Sequence, residues 1–185
     1  MESPEFSHSD TIAILTRTPA ALDVLLRGLP PVWVSRNEGD RTWTAFDIVG
    51  HLACLERTDW IRRVRAVLDN AAGDPASFEP VDRFAQLKEN RGKSLEQLLD
   101  DFARLRADNL AALREMKIQS SDLTRRGRHP ALGAVTLAEL FATWAVHDLN
   151  HLHQLSRVMA HQCRDAVGPW KAYMGVLHCD GHGAP

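Results

Sequence analysis

Apolar residues recur along this chain at the three- and four-residue intervals of an amphipathic α-helix, in four long stretches. The predicted helices span residues 9–28, 44–70, 94–116 and 136–161. A further short helix is predicted from Gly168 to Leu177, where Pro169 suits a first helical turn. No stretch stands out with the alternating apolar and polar residues of a half-buried strand. The pattern therefore predicts an all-α protein, a four-helix bundle with a short C-terminal helix.

Three of the four long helices begin with residues that favour a helix N-terminus. Each start places a Ser or Thr three positions before an acidic or amide residue, which is the spacing of a capping box. The pairs are Thr44 with Asp47, Ser94 with Gln97, and Thr136 with Glu139. In the first helix, Pro19 either kinks one continuous helix or begins a second segment.

The connections between the helices are long, and they span residues 30–43, 71–93 and 117–135. Structureless loops of more than about 12–15 residues are uncommon in compact domains and often serve a function. We therefore expect the 71–93 connection to form a lid or to pack across an end of the bundle. Simple up-and-down neighbours cannot be assumed when the connections are this long.

Length and composition limit the classes of function that this chain can have. The 185 residues suit one domain with a sizeable core, so residues 1–185 are expected to fold as a unit. The formal net charge is −2 and no Lys/Arg block dominates one segment, so nucleic acid is not an expected partner. No apolar run reaches about 18 residues, which argues against a membrane span. Three scattered cysteines and an acidic N-terminus without an apolar core predict a cytoplasmic location.

Two histidines of the fourth helix, His147 and His151, lie four residues apart within an apolar stripe. Such positions differ by roughly 40° around a helix and by about 6 Å along its axis, so both imidazoles can face one point. Two unrelated helix histidines are the ordinary explanation of this spacing. However, burying two imidazoles requires partners for their ring nitrogens, and one divalent cation serves both.

A third histidine, His51, lies in the apolar stripe of the second helix. Alone, it is explained as a core residue with satisfied hydrogen bonds. With His147 and His151 it makes a set of three imidazoles with a fourth position left open, as in catalytic zinc sites, and the set also suits nickel or iron. Asp148 and Gln154 are candidates for supporting the ligands by hydrogen bonds, although Asp148 is equally compatible with contacts to a neighbouring helix.

Several other polar residues are expected at the surface. The third helix carries a charged set that looks like its solvated face, and three further histidines look exposed. These residues are Asp101, Arg104, Arg106, Asp108, His8, His153 and His161.

The sequence resembles the DinB-like family of bacterial four-helix-bundle proteins over nearly its whole length. The resemblance rests on residues 46–52 of the second helix and 147–154 of the fourth, with further matches at Thr18-Pro19, Leu29-Pro30 and residues 167–173. In that family, one histidine of helix two and two of helix four coordinate a divalent metal. The resemblance therefore implies that His51, His147 and His151 hold one ion, zinc or nickel, and that the protein is a homodimer.

The resemblance leaves two functional hypotheses. Some relatives are thought to be metal-dependent hydrolases, and others are transferases or isomerases that use a low-molecular-weight thiol. The first hypothesis is therefore an enzyme, a hydrolase or thiol S-transferase acting on a small molecule. The second is a non-catalytic bundle that the metal stabilises and that acts in a stress response through dimerisation or partner binding.

The sequence does not choose a catalytic residue. Glu56, Asp59 and Asp148 are candidate general bases only because they lie near the histidines along the chain. A thiol cofactor would need anchoring groups, for which the basic patch Arg125, Arg126 and Arg128 is a candidate. A solvated loop is the simpler interpretation of that patch.

Overall fold

Seven α-helices and three short strands form in residues 7–70, 75–82 and 84–179, the part of the chain that the computed structural model describes. The helices are α1 (His8–Leu26), α2 (Pro31–Val34), α3 (Ala45–Thr58), α4 (Trp60–Asp69), α5 (Ala85–Glu89), α6 (Leu95–Glu115) and α7 (Leu137–His161). The strands are β1 (Ala76–Ser77), β2 (Arg126–His129) and β3 (Gly133–Thr136). Short 3₁₀ segments lie at Ser120–Thr124, Gly168–Tyr173 and Gly175–Leu177.

The four long elements, α1, α3 with α4, α6 and α7, form the predicted bundle. Helix α1 packs against α6 and α7, and α3 packs against the same two helices. Helices that follow each other in the bundle, α1 with α3 and α6 with α7, therefore lie on diagonals. This arrangement explains the long connections 30–43 and 117–135, because each must cross an end of the bundle. The connection 71–93 instead leads from α4, which follows α3, to α6, which packs beside α3. None of the helices in the described ranges combines the length and apolar character needed to cross a bilayer.

The predicted helix starts are confirmed by their hydrogen bonds. The Thr44 amide donates to Asp47 Oδ2 at 2.9 Å, and the Asp47 amide donates back to Thr44 Oγ1 at 3.1 Å. The same reciprocal pair forms between Ser94 and Gln97, and between Thr136 and Glu139. These bonds satisfy amide groups that the first helical turn leaves without partners.

Two helices depart from regular geometry. Helix α1 is continuous through Pro19, which has no N–H to donate to the carbonyl of Leu15. That carbonyl instead accepts a hydrogen bond from Arg106 Nη1 of α6 at 2.8 Å. The helix predicted over 44–70 is divided at Asp59, whose backbone (φ −123°, ψ −75°) is not helical.

The prediction of a purely helical chain missed a small sheet. Strand β1 pairs parallel with β2, and β2 pairs antiparallel with β3. Strands of two to four residues are too short to show an alternating pattern, which is why the sequence did not reveal them. The predicted 71–93 connection contains β1 and α5, while its residues 71–74 and 83 lie outside the described ranges. The C-terminal helix is present as 3₁₀ segments.

One close approach in the sheet requires glycine. A Cβ atom added to Gly127 would lie 2.2 Å from Cζ of Phe78, well inside van der Waals contact. The missing side chain lets the Cζ end of the buried Phe78 ring approach β2 closely. The guanidinium of Arg63 lies over the Phe78 ring, with its Cζ atom 5.0 Å from the ring centroid.

The core consists of two apolar clusters separated along the bundle axis. One contains Leu15, Trp60, Val64, Leu110, Phe141 and Trp144, and the other contains Leu22, Ile48, Leu98, Phe102, Leu155 and Val158. Between the two clusters lie four buried polar residues, Glu56, Arg106, Asn109 and Asp148. We call these four residues the polar layer.

The expectation that His8 and His161 are exposed was wrong, because both are half-buried. His8 is half-buried, with its ring centroid 5.0 Å from that of Phe141. Burial lowers the pKa of His8 below its ordinary value of 6.5, because a protonated imidazole loses hydration there.

Replacing Leu22 with Ala is expected to lower the free energy of unfolding by about 2–5 kcal/mol, because the side chain is fully buried. Leu25 on the same helix is 39% exposed and serves as the matched control. Its replacement with Ala should cost well under half as much. Urea denaturation of both variants measures the difference, and equal losses would contradict the assigned core.

Stability is expected to fall as the pH drops below about 6.5, since the unfolded chain then binds a proton at His8 more readily than the native state does. This contribution is complete above pH 6.5 and is lost as the pH falls through the lowered native pKa. The variant His8→Gln should therefore show a shallower decline than the unmodified protein in denaturation between pH 7 and 5. The exposed His153→Gln is the control, and identical slopes for all three proteins would exclude this role of His8.

Candidate metal centre

The structure brings His51, His147 and His151 together from two helices. The Nε2 atom of His147 lies 3.4 Å from Nε2 of His51 and 3.1 Å from Nε2 of His151. Potential ligand atoms of all three residues lie within 4.8 Å of one another. His51 and His151 are buried, whereas His147 is half-buried. The three nitrogens therefore converge on one point with a partly open side at His147.

These separations fit a shared transition-metal ion. Zinc binds imidazole nitrogen at about 2.0–2.1 Å in tetrahedral geometry, which places two such nitrogens about 3.3–3.4 Å apart. The two Nε2 separations match that value within a few tenths of an ångström. Three imidazoles fill three of the four tetrahedral positions, so the donor set suits an open site.

Gln154 sets the orientation of one ligand. Its Oε1 atom lies 2.7 Å from Nδ1 of His151. A carboxamide oxygen only accepts hydrogen bonds, so with this amide orientation Nδ1 carries the proton. Neutral His151 then has its lone pair on Nε2, which is the atom that faces His147. A partner on the far ring nitrogen is typical of metal-binding histidines.

Three tryptophans frame the histidines. The Trp43 ring lies 4.8 Å from that of His51 and 6.2 Å from that of His151, measured between centroids. Trp60 meets His147 edge-on at 5.2 Å, and Trp144 stacks on Trp60 at 5.6 Å. These rings restrict the imidazoles and surround them with apolar surface.

The loop that carries Trp43 is tied to α7. Glu38 forms an ion pair with Arg157, and both side chains are largely buried. Gln162 Nε2 donates to the backbone carbonyl of Asn37 at 3.2 Å. The loop before α3 is thus held against the helix that provides two of the histidines, and this contact positions Trp43 over the site.

The polar layer lies beside the three histidines. Arg106 donates from Nη1 to Asp148 Oδ2 at 2.6 Å, and from Nη2 to Asp148 Oδ1 at 3.0 Å and to Glu56 Oε1 at 2.8 Å. Asn109 Nδ2 donates to Glu56 Oε2 at 2.9 Å, and Trp144 Nε1 donates to Glu56 Oε1 at 2.9 Å. The expectation that Arg106 belongs to a solvated face was therefore wrong, since only 1% of it is exposed.

The charge of Arg106 is stabilised by its partners. Burial by itself lowers the pKa of the guanidinium, but the hydrogen bond to Asp148 and the negative charges of Glu56 and Asp148 outweigh it and raise the pKa above its ordinary value. Arg106 therefore remains a cation inside the bundle. A buried cation paired with two carboxylates is stable only while all its partners are present.

The sequence contains evidence for the polar layer in the position of Arg106, although a charged residue is usually expected at the surface. Arg106 lies four residues after Phe102 and four before Leu110, in the middle of the apolar stripe of α6. Charged residues at stripe positions on three packed helices need one another as partners. One helix alone does not show that requirement, because the partners of Arg106 lie on α3 and α7.

A model of the DinB superfamily matches residues 14–155, which include the three histidines and the polar layer. This chain belongs to the DinB superfamily. The family expected from the motifs of the second and fourth helices is thereby confirmed.

Two solved structures resemble this DinB superfamily member. YfiT from Bacillus subtilis, described as a probable metal-dependent hydrolase with an unusual four-helix bundle topology, matches with a TM-score of 0.69 and 20% identity over 90% of this chain and 93% of that one. The four-helix bundle protein TT2238 matches with a TM-score of 0.54 and 21% identity over 80% and 98% of the two chains. At such identities the likeness shows the fold alone. No curated protein matches the chain.

Two of the three candidate bases of this DinB domain are used inside the bundle. Glu56 and Asp148 are at most 1% exposed and accept hydrogen bonds from the polar layer. Asp59 pairs with Arg63 at 2.7 Å, and burial raises the pKa of Asp59 against the opposing charge of Arg63. Glu56 and Asp148 are therefore placed to hold the helices together, away from solvent.

The basic patch is divided between two roles. Arg125 Nη2 donates to the backbone carbonyls of Leu68 and Asn70, at 2.6 Å and 2.9 Å, and so closes the end of α4. Arg126 and Arg128 are exposed on β2. Of the three arginines expected to anchor a thiol cofactor, Arg125 is therefore occupied by hydrogen bonds within the fold.

A cavity of about 320 Å³ lies along α3 and α4. Its lining includes Cys54, Thr58, Asp59, Arg62, Arg63 and Phe78. Thr58 lies seven residues after His51, which is two helical turns, so the two side chains leave α3 within roughly 20° of the same direction and about 10 Å apart. The cavity therefore lies two helical turns from His51 along α3, and none of the three histidines lines it.

Replacing Gln154 with Ala is expected to weaken zinc binding by about 10–100-fold, because His151 loses the acceptor that fixes its ring. The dissociation constant is measured by competition with a chromophoric chelator. His153→Ala, an exposed histidine on the same helix, is the control and should leave the constant unchanged. An unchanged constant for Gln154→Ala would show that other contacts orient His151.

Proposed function

We propose that this DinB superfamily member binds one divalent transition metal, zinc or nickel, through His51, His147 and His151 and hydrolyses a small molecule. The observation that carries the proposal is the convergence of three histidine Nε2 atoms at separations of 3.1 Å and 3.4 Å. The three donors leave a fourth position for substrate or water, which distinguishes catalytic from closed structural sites. An ion held there supplies a Lewis acid and activates water near neutral pH.

The residues of the chain have separate roles in this proposal. Gln154 holds His151 in the tautomer that binds a metal. Trp43 covers His51 and His151, while the half-buried His147 marks the side from which a small molecule can approach.

A hydrolase is preferred to a thiol S-transferase on one observation. The basic patch was the candidate anchor for a low-molecular-weight thiol, and Arg125 is engaged with backbone carbonyls of α4 and the following residue. Arg126 and Arg128 alone remain exposed for such a cofactor. Homodimerisation and a cytoplasmic location remain predictions from the sequence.

Replacing His151 with Ala is expected to abolish binding of about one metal ion per chain and to abolish hydrolysis, while the bundle stays folded. The bundle persists because its two apolar clusters and three capping boxes do not involve the metal. Elemental analysis gives the metal content, far-UV circular dichroism gives the fold, and panels of ester and amide substrates with zinc or nickel give the activity. His153→Ala is the matched control.

Two outcomes would contradict the proposal. Undiminished metal in His151→Ala would exclude His151 as a ligand. Cooperative unfolding of the unmodified protein on chelation, with no hydrolysis in either metal form, would favour the non-catalytic bundle in which the ion ties α3 to α7.

A further inference from the structure

We propose that the polar layer is a positioning device for the metal ligands and that Arg106 is its central residue. The proposal rests on the function proposed above, because it assumes that the three histidines hold an ion. Arg106 comes from α6, a helix that contributes none of these histidines. Its role is to fix α3 against α7, so that imidazoles from the two helices meet at one point.

The layer joins the ligand helices next to the ligands themselves. Asp148 directly follows His147 in α7, and Glu56 lies five residues after His51 in α3. The single guanidinium of Arg106 binds both carboxylates, with N–O distances from 2.6 Å to 3.0 Å. A sliding or rotation of α3 relative to α7 would therefore strain these bonds as well as separate the histidines.

A second path leads from the same carboxylate to His147. Glu56 Oε1 accepts the indole N–H of Trp144 at 2.9 Å. Trp144 stacks on Trp60 with an interplanar angle of 10°, and Trp60 contacts the His147 ring edge-on. Glu56 thus fixes both the register of α3 and the aromatic wall against which His147 rests.

Arg106 is itself fixed from two further sides. Nη1 also donates to the Leu15 carbonyl, which is available because Pro19 donates no helical hydrogen bond to it. The guanidinium carbon lies 4.9 Å from the Phe102 ring centroid and 5.4 Å from that of Trp144. All four bundle helices therefore define where the guanidinium lies. Because its donors form a rigid plane, a shift of one helix disturbs its bonds to the others.

Stability alone does not require such an arrangement. Apolar residues of similar volume in place of a buried ion set are often neutral or stabilising, because burying charges costs hydration. The layer lies between two apolar clusters that could have continued through it. Charged groups with directional hydrogen bonds fix the register between helices. The three histidines are the groups that need a fixed register.

The test separates register from stability by removing all three charges together. The variant E56Q/R106M/D148L leaves no unpaired buried charge and keeps an acceptor for Trp144. It is expected to fold, as judged by far-UV circular dichroism and urea denaturation. It should bind zinc at least about tenfold more weakly than the unmodified protein in competition with a chromophoric chelator. With cobalt as the probe, its visible absorption bands should shift, since they report ligand geometry.

A conservative variant and a control complete the design. Arg106→Lys keeps the charge but loses the two-pronged bond to Asp148, so its zinc affinity should fall between those of the unmodified protein and the triple variant. Arg104→Met removes an arginine on the exposed face of α6 that pairs with Asp101 and Asp108. It should leave the zinc affinity and cobalt spectrum unchanged.

The outcomes distinguish the inference from the function on which it rests. If the unmodified protein binds neither zinc nor cobalt, the proposed function fails, and the inference with it. If the unmodified protein binds both ions and the folded triple variant binds them with the same affinity and cobalt spectrum, the inference alone is overturned. If the triple variant does not fold, Arg106→Lys is the test. A zinc affinity and cobalt spectrum of Arg106→Lys equal to those of Arg104→Met would then overturn the inference.

Discussion

The hydrogen-bonded contact of one buried guanidinium with two carboxylates is the constraint around which this bundle is arranged. Arg106 binds Glu56 of α3 and Asp148 of α7, and all three side chains are at most 1% exposed. Removing one partner of such a set would leave a buried charge uncompensated, at a cost of about 3–5 kcal/mol. The contact therefore fixes how α3, α6 and α7 are placed relative to one another, and the histidines take their positions from that placement.

The parts of the fold that depend on local chemistry were predictable from the sequence. Capping boxes at Thr44, Ser94 and Thr136 and apolar residues at helical intervals act within one helix, so they locate the bundle helices. The pairing of His51 with His147 and His151 was also accessible, because imidazoles in apolar stripes need partners. The capping boxes and apolar intervals lie within a few residues of the helices they predict, whereas the histidine pairing, 96 positions apart for His51 and His147, depends on the need of buried imidazoles for partners.

The remaining features depend on contacts between distant segments. The sheet joins residues 76–77 with 126–136, and no alternating pattern forms in strands this short. Arg106 looked like a surface residue because its partners lie 50 and 42 positions away along the chain. Trp43, in the loop before α3, contacts His51 and also His151 of the distant α7, and helical periodicity does not specify such a contact.

The departures from regular helix chemistry meet at one level of the bundle. Pro19 leaves the Leu15 carbonyl without its helical donor, the second helix is interrupted at Asp59, and Arg106 places a charge within an apolar stripe. Each costs stability when considered alone. The first and third compensate each other, because Arg106 binds the carbonyl that Pro19 leaves available, and the interruption at Asp59 directly precedes Trp60, which packs on His147. Local irregularities that satisfy one another beside a cluster of ligands are expected where a fold gives up regular geometry for a functional site.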